Sequence, residues 1–207
     1  MRLRCAPRFD YGRAPTKVSL RENFALFSSS GHPTLRLSGP ARFERGKGEV
    51  TGEVRLRQGE SVEFVLEEDG VPMLSSHDLH ELARYTIRYW QDWASRSTYK
   101  GHWREAVTRS ALVLKLMTSI RHGSIVAAAT FGLPEAEGGE RNWDYRAVWI
   151  RDASFTVYAL MRLGYQTEAS AFYRWLGERA SKSSKTGVLR IMYALDGSIP
   201  DKESVLD

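Results

Sequence analysis

The sequence contains one cysteine, Cys5, which excludes an intrachain disulfide and any zinc site built from cysteine pairs. No uninterrupted apolar run is longer than five residues, as at Ile125 to Ala129, whereas a membrane-spanning helix needs about 20. The opening residues, Met1 to Pro7, lack the apolar stretch of a signal peptide. The expectation is a cytoplasmic chain that does not contact a membrane. Charge of one sign is not concentrated anywhere. The net charge of +5 divides into +2 over residues 1–75 and +3 over 76–207. A nucleic-acid partner would call for a basic stripe or tail, so none is expected despite a pI near 9.4. Lysine is scarce, with 7 against 23 arginines, and arginine suits planar contacts to carboxylates, phosphates or sugar hydroxyls. No glycine-rich phosphate loop and no Gly-x-Ser-x-Gly turn occurs. Of the five histidines only His77 and His80 are close, and they lack a third ligand, so neither metal nor cofactor is expected.

What remains is enough to fold. At 207 residues with 42% hydrophobic and 27% charged side chains, the chain can bury a core and is one domain or one domain and part of another. Its two halves differ in period. Up to about residue 72 the apolar positions alternate. Val50, Val54 and Leu56 form one set and Val62, Phe64 and Leu66 another, with Gln58-Gly59-Glu60 between them predicting a hairpin. Shorter strands are expected at Val18–Leu20, Phe24–Leu26 and Leu35–Leu37. The alternation implies an antiparallel sheet packed on one side, and no helical period is visible there.

From Ser76 the spacing becomes i, i+3, i+4. A first helix carries Leu79, Leu82, Ile87, Trp90 and Trp93, with Ser76 or Asp78 as its cap, and core packing is expected of Tyr89, Trp90 and Trp93. Further helices are expected at about Trp103–Ser119, Arg151–Leu163 and Thr167–Ser181, the third ended by Gly164. Residues 110–117 are apolar on nearly every face, which predicts burial in a larger helical assembly. Two irregular stretches stand out: 121–149, and 187–207 with Tyr193, Asp196-Gly197 and Pro200.

The densest chemistry lies in Asn142 to Asp152, where aromatic rings, arginines and carboxylates meet at a loop-to-helix junction. Rings stack on the C–H face of a sugar, while Asp and Arg supply acceptors and donors to its hydroxyls. The bland alternative is that Asp152 caps the helix and Arg151 pairs with a surface carboxylate. Asp144, beside Arg141 and Arg146, fits a loop-fixing ion pair better than a sugar contact, and Glu135 and Glu137 read as solvated loop carboxylates.

Several segments together resemble one family. Thr130-Phe-Gly-Leu-Pro-Glu135, Arg141-Asn-Trp-Asp-Tyr-Arg146, Trp149-Ile-Arg-Asp-Ala153, Tyr99-Lys-Gly-His-Trp-Arg-Glu-Ala106, Leu112–Met117 and Ile191-Met-Tyr-Ala-Leu-Asp-Gly197 strongly resemble bacterial members of glycoside hydrolase family 15, the glucoamylase and trehalase-like enzymes. The resemblance covers essentially all of 76–207, and residues 1–72, including Pro7 to Arg13, look like the later part of the β-sandwich domain that precedes the barrel. It implies an α+β chain in two parts. Residues 1–72 are a partial antiparallel β-sandwich, and 73–207 are the first helices of an incomplete (α/α)6 toroid. It implies hydrolysis of an α-glucosidic bond (maltooligosaccharide, isomaltooligosaccharide or trehalose) with inversion. Arg151 and Asp152 match residues that hold the sugar in the innermost subsite, and Tyr145 and Trp149 match residues that line it.

The chain departs from the family at Ala147-Val148, where many relatives carry a tyrosine and then a small or polar residue, and this bears on substrate identity. In the family the acid and base glutamates lie well beyond the segment matching 191–197, and nothing here matches either. An inverting hydrolysis needs two carboxyls about 6.5–9.5 Å apart. The chain therefore reads as a fragment that carries part of a sugar subsite and no catalytic residue, expected to be inactive by itself and to self-associate through exposed apolar surface. The rival reading is a non-catalytic carbohydrate-binding or interaction protein.

Overall fold

A computed structural model of the chain describes residues 1–139, 141–182 and 188–199. The chain divides into two compact units, Met1–Ala83 and Arg84–Asp207. In the first unit, β1 (Arg2–Cys5), β5 (Arg42–Arg45) and β6 (Val50–Glu53) form one antiparallel sheet in the order β1-β6-β5. The second sheet contains β2 (Lys17–Leu20), β3 (Phe24–Ser28), β4 (Leu35–Ser38) and β7 (Val65–Glu68), in the order β2-β3-β4-β7. Their inward side chains, Val50 from one sheet and Val18, Ala25, Phe27 and Leu37 from the other, make one core with Phe9. This is the two-layer packing of a β-sandwich.

The hairpin expected around Gln58-Gly59-Glu60 does not form, although the turn does: the Glu60 amide donates to the Arg57 carbonyl at 3.1 Å and Gly59 takes a φ of +87°. Both edges of β6 are already taken by β1 and β5, so β7 pairs with β4. There Arg36 sits opposite Glu67 and donates to its carboxylate at 2.7 Å, to Asp69 at 3.4 Å and to the Val71 carbonyl at 2.7 Å. Cross-strand pairing of a nearly buried arginine decides the register that alternation alone left open. Strands β1 and β5 are four residues each, too short for their pattern to announce them: β1 alternates Arg2, Leu3, Arg4 and Cys5, and β5 has Phe43 as its one apolar residue. β5 lies against β6 where Phe43 faces Gly52, and a Cβ at Gly52 would come within 2.9 Å of the Ala41 Cβ. A 3-10 turn at Phe9–Gly12 is also unannounced by any helical period.

Four α-helices lie among the described residues: α1 (Ser76–Ser95), α2 (Arg104–Leu116), α3 (Ile150–Arg162) and α4 (Gln166–Lys182). The cap of α1 is Ser75 rather than Ser76. The Ser75 hydroxyl accepts from the Asp78 amide at 3.2 Å and the Asp78 carboxylate accepts from the Ser75 amide at 3.0 Å, a reciprocal capping box. Helix α2 ends earlier than its apolar run suggests, because residues 117–126 fold back on it: Thr118 pairs with Ile125, and the Val126 amide donates to Met117. The expected burial of 110–117 is only partly met, since Ala111 is buried while Leu116 is 65% exposed. Helix α3 closes in a Schellman motif. Gly164, at φ +96°, donates to Met161, and Tyr165 donates to Leu160. That turn reverses the chain directly into α4, and α3 packs on α4 as the expected antiparallel pair.

The second unit centres on a charge no sequence pattern announced. Glu168 on α4 is 5% exposed and accepts from Lys115 of α2 at 2.7 Å and from the Trp93 indole of α1 at 2.8 Å. The Trp93 ring stacks on Tyr165 with centroids 3.9 Å apart. Burial pushes the Glu168 carboxyl up, but the bonds from Lys115 and Trp93 outweigh it and hold the group below its ordinary value. A folded-state pKa below the unfolded one contributes stability above the unfolded pKa, and that contribution is lost as pH falls through the folded value. Removing one member of a buried pair strands the other, so Lys115→Met is expected to cost about 3–5 kcal/mol near neutral pH. Urea titration followed by circular dichroism checks this. The difference from wild type should shrink as pH falls through the Glu168 titration, and the double variant Lys115→Met/Glu168→Gln should recover part of the loss.

Candidate functional site

The site is built on a strand-to-helix junction. β8 (Val148–Trp149) pairs antiparallel with β9 (Met192–Tyr193), and α3 begins at the next residue, Ile150. Val148 and Tyr193, opposite each other, are both buried and anchor the junction in the core. The Ile150 amide donates to the Ile191 carbonyl at 3.1 Å, continuing the pairing one residue into the helix. The Ser124 hydroxyl, fully buried, donates to the Leu195 carbonyl at 2.7 Å and ties the far side of the 188–199 segment down. Gly187 and residues 200–207 of the loop expected there, Pro200 included, lie outside the described residues.

The long connection before the junction is ordered by its own backbone. Amides of Ala127, Ala128, Gly132 and Glu135 donate to the carbonyls of Ala147, Tyr145, Trp143 and Arg141 respectively, at 2.7–3.1 Å. This folds the segment into an irregular hairpin and lines up three rings at its end. Trp149 meets Tyr145 edge-on at 6.0 Å and 77°, and Trp143 edge-on at 6.0 Å and 83°. The Trp149 indole donates to the Asp144 carbonyl at 2.9 Å. Gly132 makes room for this arrangement, since a Cβ there would lie 3.0 Å from the Tyr145 ring.

Of the four residues singled out for substrate, Tyr145 and Trp149 are therefore in contact, both half-buried. Arg151 and Asp152 follow in the first turn of α3 and pair with each other at 3.1 Å. The cap position of α3 is Trp149, and no side chain caps it. Asp152 thus does not act as the helix cap, and Arg151 finds its carboxylate next door rather than elsewhere on the surface. Both keep polar atoms open to solvent, with side chains 69% and 34% exposed. A carboxylate in the first turn of a helix is favoured by the helix dipole.

The other carboxylates have structural partners. Asp144 takes a two-pronged contact from Arg146 at 2.9 and 2.8 Å, which holds its carboxyl below the ordinary range. The nearer arginine in that pair is Arg146; Arg141 instead lies 3.9 Å from Glu135. Glu135 accepts from the Trp143 indole at 2.7 Å, so it anchors a ring rather than standing free in solvent. Sequence reading missed the roles of Phe131, whose ring lies 4.0 Å beneath the Arg146 guanidinium, and of Ser124. An aromatic and an arginine 15 residues apart give no signal until the loop pairs. Among the described residues no group of His, Cys, Asp and Glu could hold a metal, and no helix is long and apolar enough to cross a membrane. A cleft of about 1020 Å³ between the end of α1 and α2, lined by Ser97, His102, Trp103 and Arg109 among others, shares no lining residue with the Trp149 cluster.

Aromatic rings beside an exposed Arg–Asp pair offer a face for stacking and groups that donate and accept hydrogen bonds, the equipment that recognition of a polyhydroxylated ligand calls for. The sequence model for Glycosyl hydrolases family 15 matches residues 101–206, which span this whole junction, and the chain belongs to that family. A trehalase of Thermoplasma volcanium is 30% identical over 204 residues, covering 97% of this chain and 32% of that protein. One from Mycobacterium tuberculosis is 33% identical over 203 residues, covering 93% and 30%. One from Thermoplasma acidophilum is 45% identical over 122 residues, covering 59% and 20%. The chain spans about a third or less of the length of the relatives it matches. No solved structure matches it.

The tie through Ser124 yields a direct test. Ser124→Ala removes a buried hydrogen bond worth about 1 kcal/mol and frees one side of the 188–199 segment. Limited proteolysis should then cut within 188–199 faster than in wild type, while helix content by circular dichroism stays unchanged. Equal cleavage rates would mean β8–β9 pairing alone holds the segment.

Proposed function

We propose that the chain is part of an enzyme that hydrolyses an α-glucosidic bond by inversion. Trehalose is the first candidate substrate, because the relatives are trehalases, and malto- and isomaltooligosaccharides are the others. In this reading residues 1–72 belong to a β-sandwich domain and 73–207 open an (α/α)6 toroid. Tyr145 and Trp149 line the innermost sugar subsite, Asp152 accepts from sugar hydroxyls, and Arg151 donates to them. The observation that carries it is the β8–α3 junction. It sets the Trp149 ring of β8, met edge-on by Tyr145 from the preceding loop, next to a solvent-open Arg151–Asp152 pair in the first turn of α3. A cytoplasmic setting goes with this reading, since a single cysteine offers no disulfide to an oxidising compartment.

The general acid and general base lie outside this chain in the same reading, because none of its glutamates matches the family's catalytic motifs. The remaining helices of the toroid would cover apolar side chains that stand exposed here, such as Leu116 at the end of α2, Ile120 beyond it, and Phe155 and Tyr158 on α3, the last two 72% and 65% exposed. Without that cover the same faces support association between copies.

Two measurements follow. The chain alone, free of host enzymes, should release no glucose from trehalose, maltose or isomaltose, since an acid or base group typically contributes about 10²- to 10⁴-fold; turnover abolished by Glu135→Gln would move the chemistry to the loop. In a full-length protein carrying this segment, Asp152→Asn and Arg151→Lys should each lower kcat/KM about 10- to 100-fold, from the loss of roughly 1.5–3 kcal/mol of charged hydrogen bonding. Glu137→Gln should leave it nearly unchanged. Near-normal kinetics in both variants would remove the sugar role of the pair.

A further inference from the structure

We propose that Arg146 is the positioning residue of the aromatic wall, fixing the turn at Asp144 whose backbone carbonyl orients the Trp149 indole. The sugar-facing part of this rests on the reading of Trp149 as a subsite wall; the positioning itself does not. Three bonds run from Arg146 to one carboxylate. Its Nε donates to Asp144 Oδ1 at 2.9 Å, its terminal nitrogen to Oδ2 at 2.8 Å, and its backbone amide to Oδ1 at 3.0 Å. The central carbon of the guanidinium also lies over the Phe131 ring, 4.0 Å from its centroid. The contact bridges the two arms of the loop hairpin, since Gly132, next to Phe131, donates to the carbonyl of Trp143, next to Asp144.

The consequence reaches Trp149 through one atom. β8–β9 pairing holds the Trp149 backbone, but the ring can still turn about its two side-chain torsions. The far end of the indole is held by its bond to the Asp144 carbonyl at 2.9 Å. That carbonyl points toward Trp149 only while the Asp144–Arg146 turn keeps its shape. A lysine could preserve the charge but not the fork, which is planar and two-pronged. Arginine is therefore required at 146 for geometry rather than for charge.

The test uses the whole chain with tryptophan labelled at the indole nitrogen, which gives one N–H signal for each of the six tryptophans. Single Trp→Phe variants assign the signals of Trp149 and of Trp93. In Arg146→Lys and Arg146→Gln, exchange of the Trp149 N–H with solvent should be about tenfold faster or more, as expected for releasing a hydrogen bond ordered by a charged pair. The Trp93 signal, buried against Glu168 and Tyr165, should keep its rate. Unchanged Trp149 exchange in both variants would overturn the proposal. Equal acceleration at Trp93 and Trp149 would overturn it too, by making Arg146 a general staple of the unit. Added trehalose and maltose separate the two levels. A sugar that shifts the Trp149 signal in wild type, and does so more weakly in Arg146→Lys, supports both. If neither sugar moves Trp149 in wild type, the subsite reading fails while the exchange rates still decide the role of Arg146.

Discussion

An irregular segment of some twenty residues between two helices must send its backbone polar groups somewhere, because leaving them unpaired away from water is costly. The segment from Ala127 to Ala147 sends them to itself, in rungs that join its two arms. The site depends on this. The rungs bring Trp143 and Tyr145 to Trp149, and they bring Phe131 under Arg146. Nothing in α3 or α4 would place those rings if the loop took another course.

Around that loop the second unit is a set of ties at different depths. The deepest is Glu168, whose carboxylate gathers Lys115 and Trp93 from two other helices. The β8–β9 pairing and the Ser124 bond hold the junction from behind, and the Schellman turn at Gly164 returns the chain into α4. Positioning of this kind matters for ring stacking, since a gap of about 0.5–1 Å already forfeits a quarter to a half of a dispersion contact. Arg151 and Asp152 meet solvent and pair with each other.

Much of this was legible from residue order, and the exceptions share a cause. Helices α1, α3 and α4 follow from apolar spacing and from Gly164, and the patch Asn142 to Asp152 stands out by its crowding, while the resemblance to the family is what singled out Tyr145, Trp149, Arg151 and Asp152 within it. What failed was long-range pairing. The Gly59 turn exists, yet its flanking strands pair with other partners, because the neighbours of β6 and the Arg36–Glu67 contact are set by segments far away in sequence. The Glu168 pair and the Arg146–Phe131 contact were invisible for the same reason: each joins residues that only the folded chain brings together. Ser75 was overlooked as the α1 cap for a smaller reason, since Ser75, Ser76 and Asp78 all lie within one turn.

The most direct measurement is a crystal structure of a full-length protein carrying this segment, bound to a trehalose analogue that cannot be hydrolysed. The sugar is expected with its C–H face toward Trp149 and its hydroxyls within hydrogen-bond reach, about 2.7–3.2 Å, of Arg151 and Asp152. A sugar seated elsewhere, for instance in the cleft at Trp103, with Arg151 and Asp152 still paired only to each other, would contradict the assignment of the site.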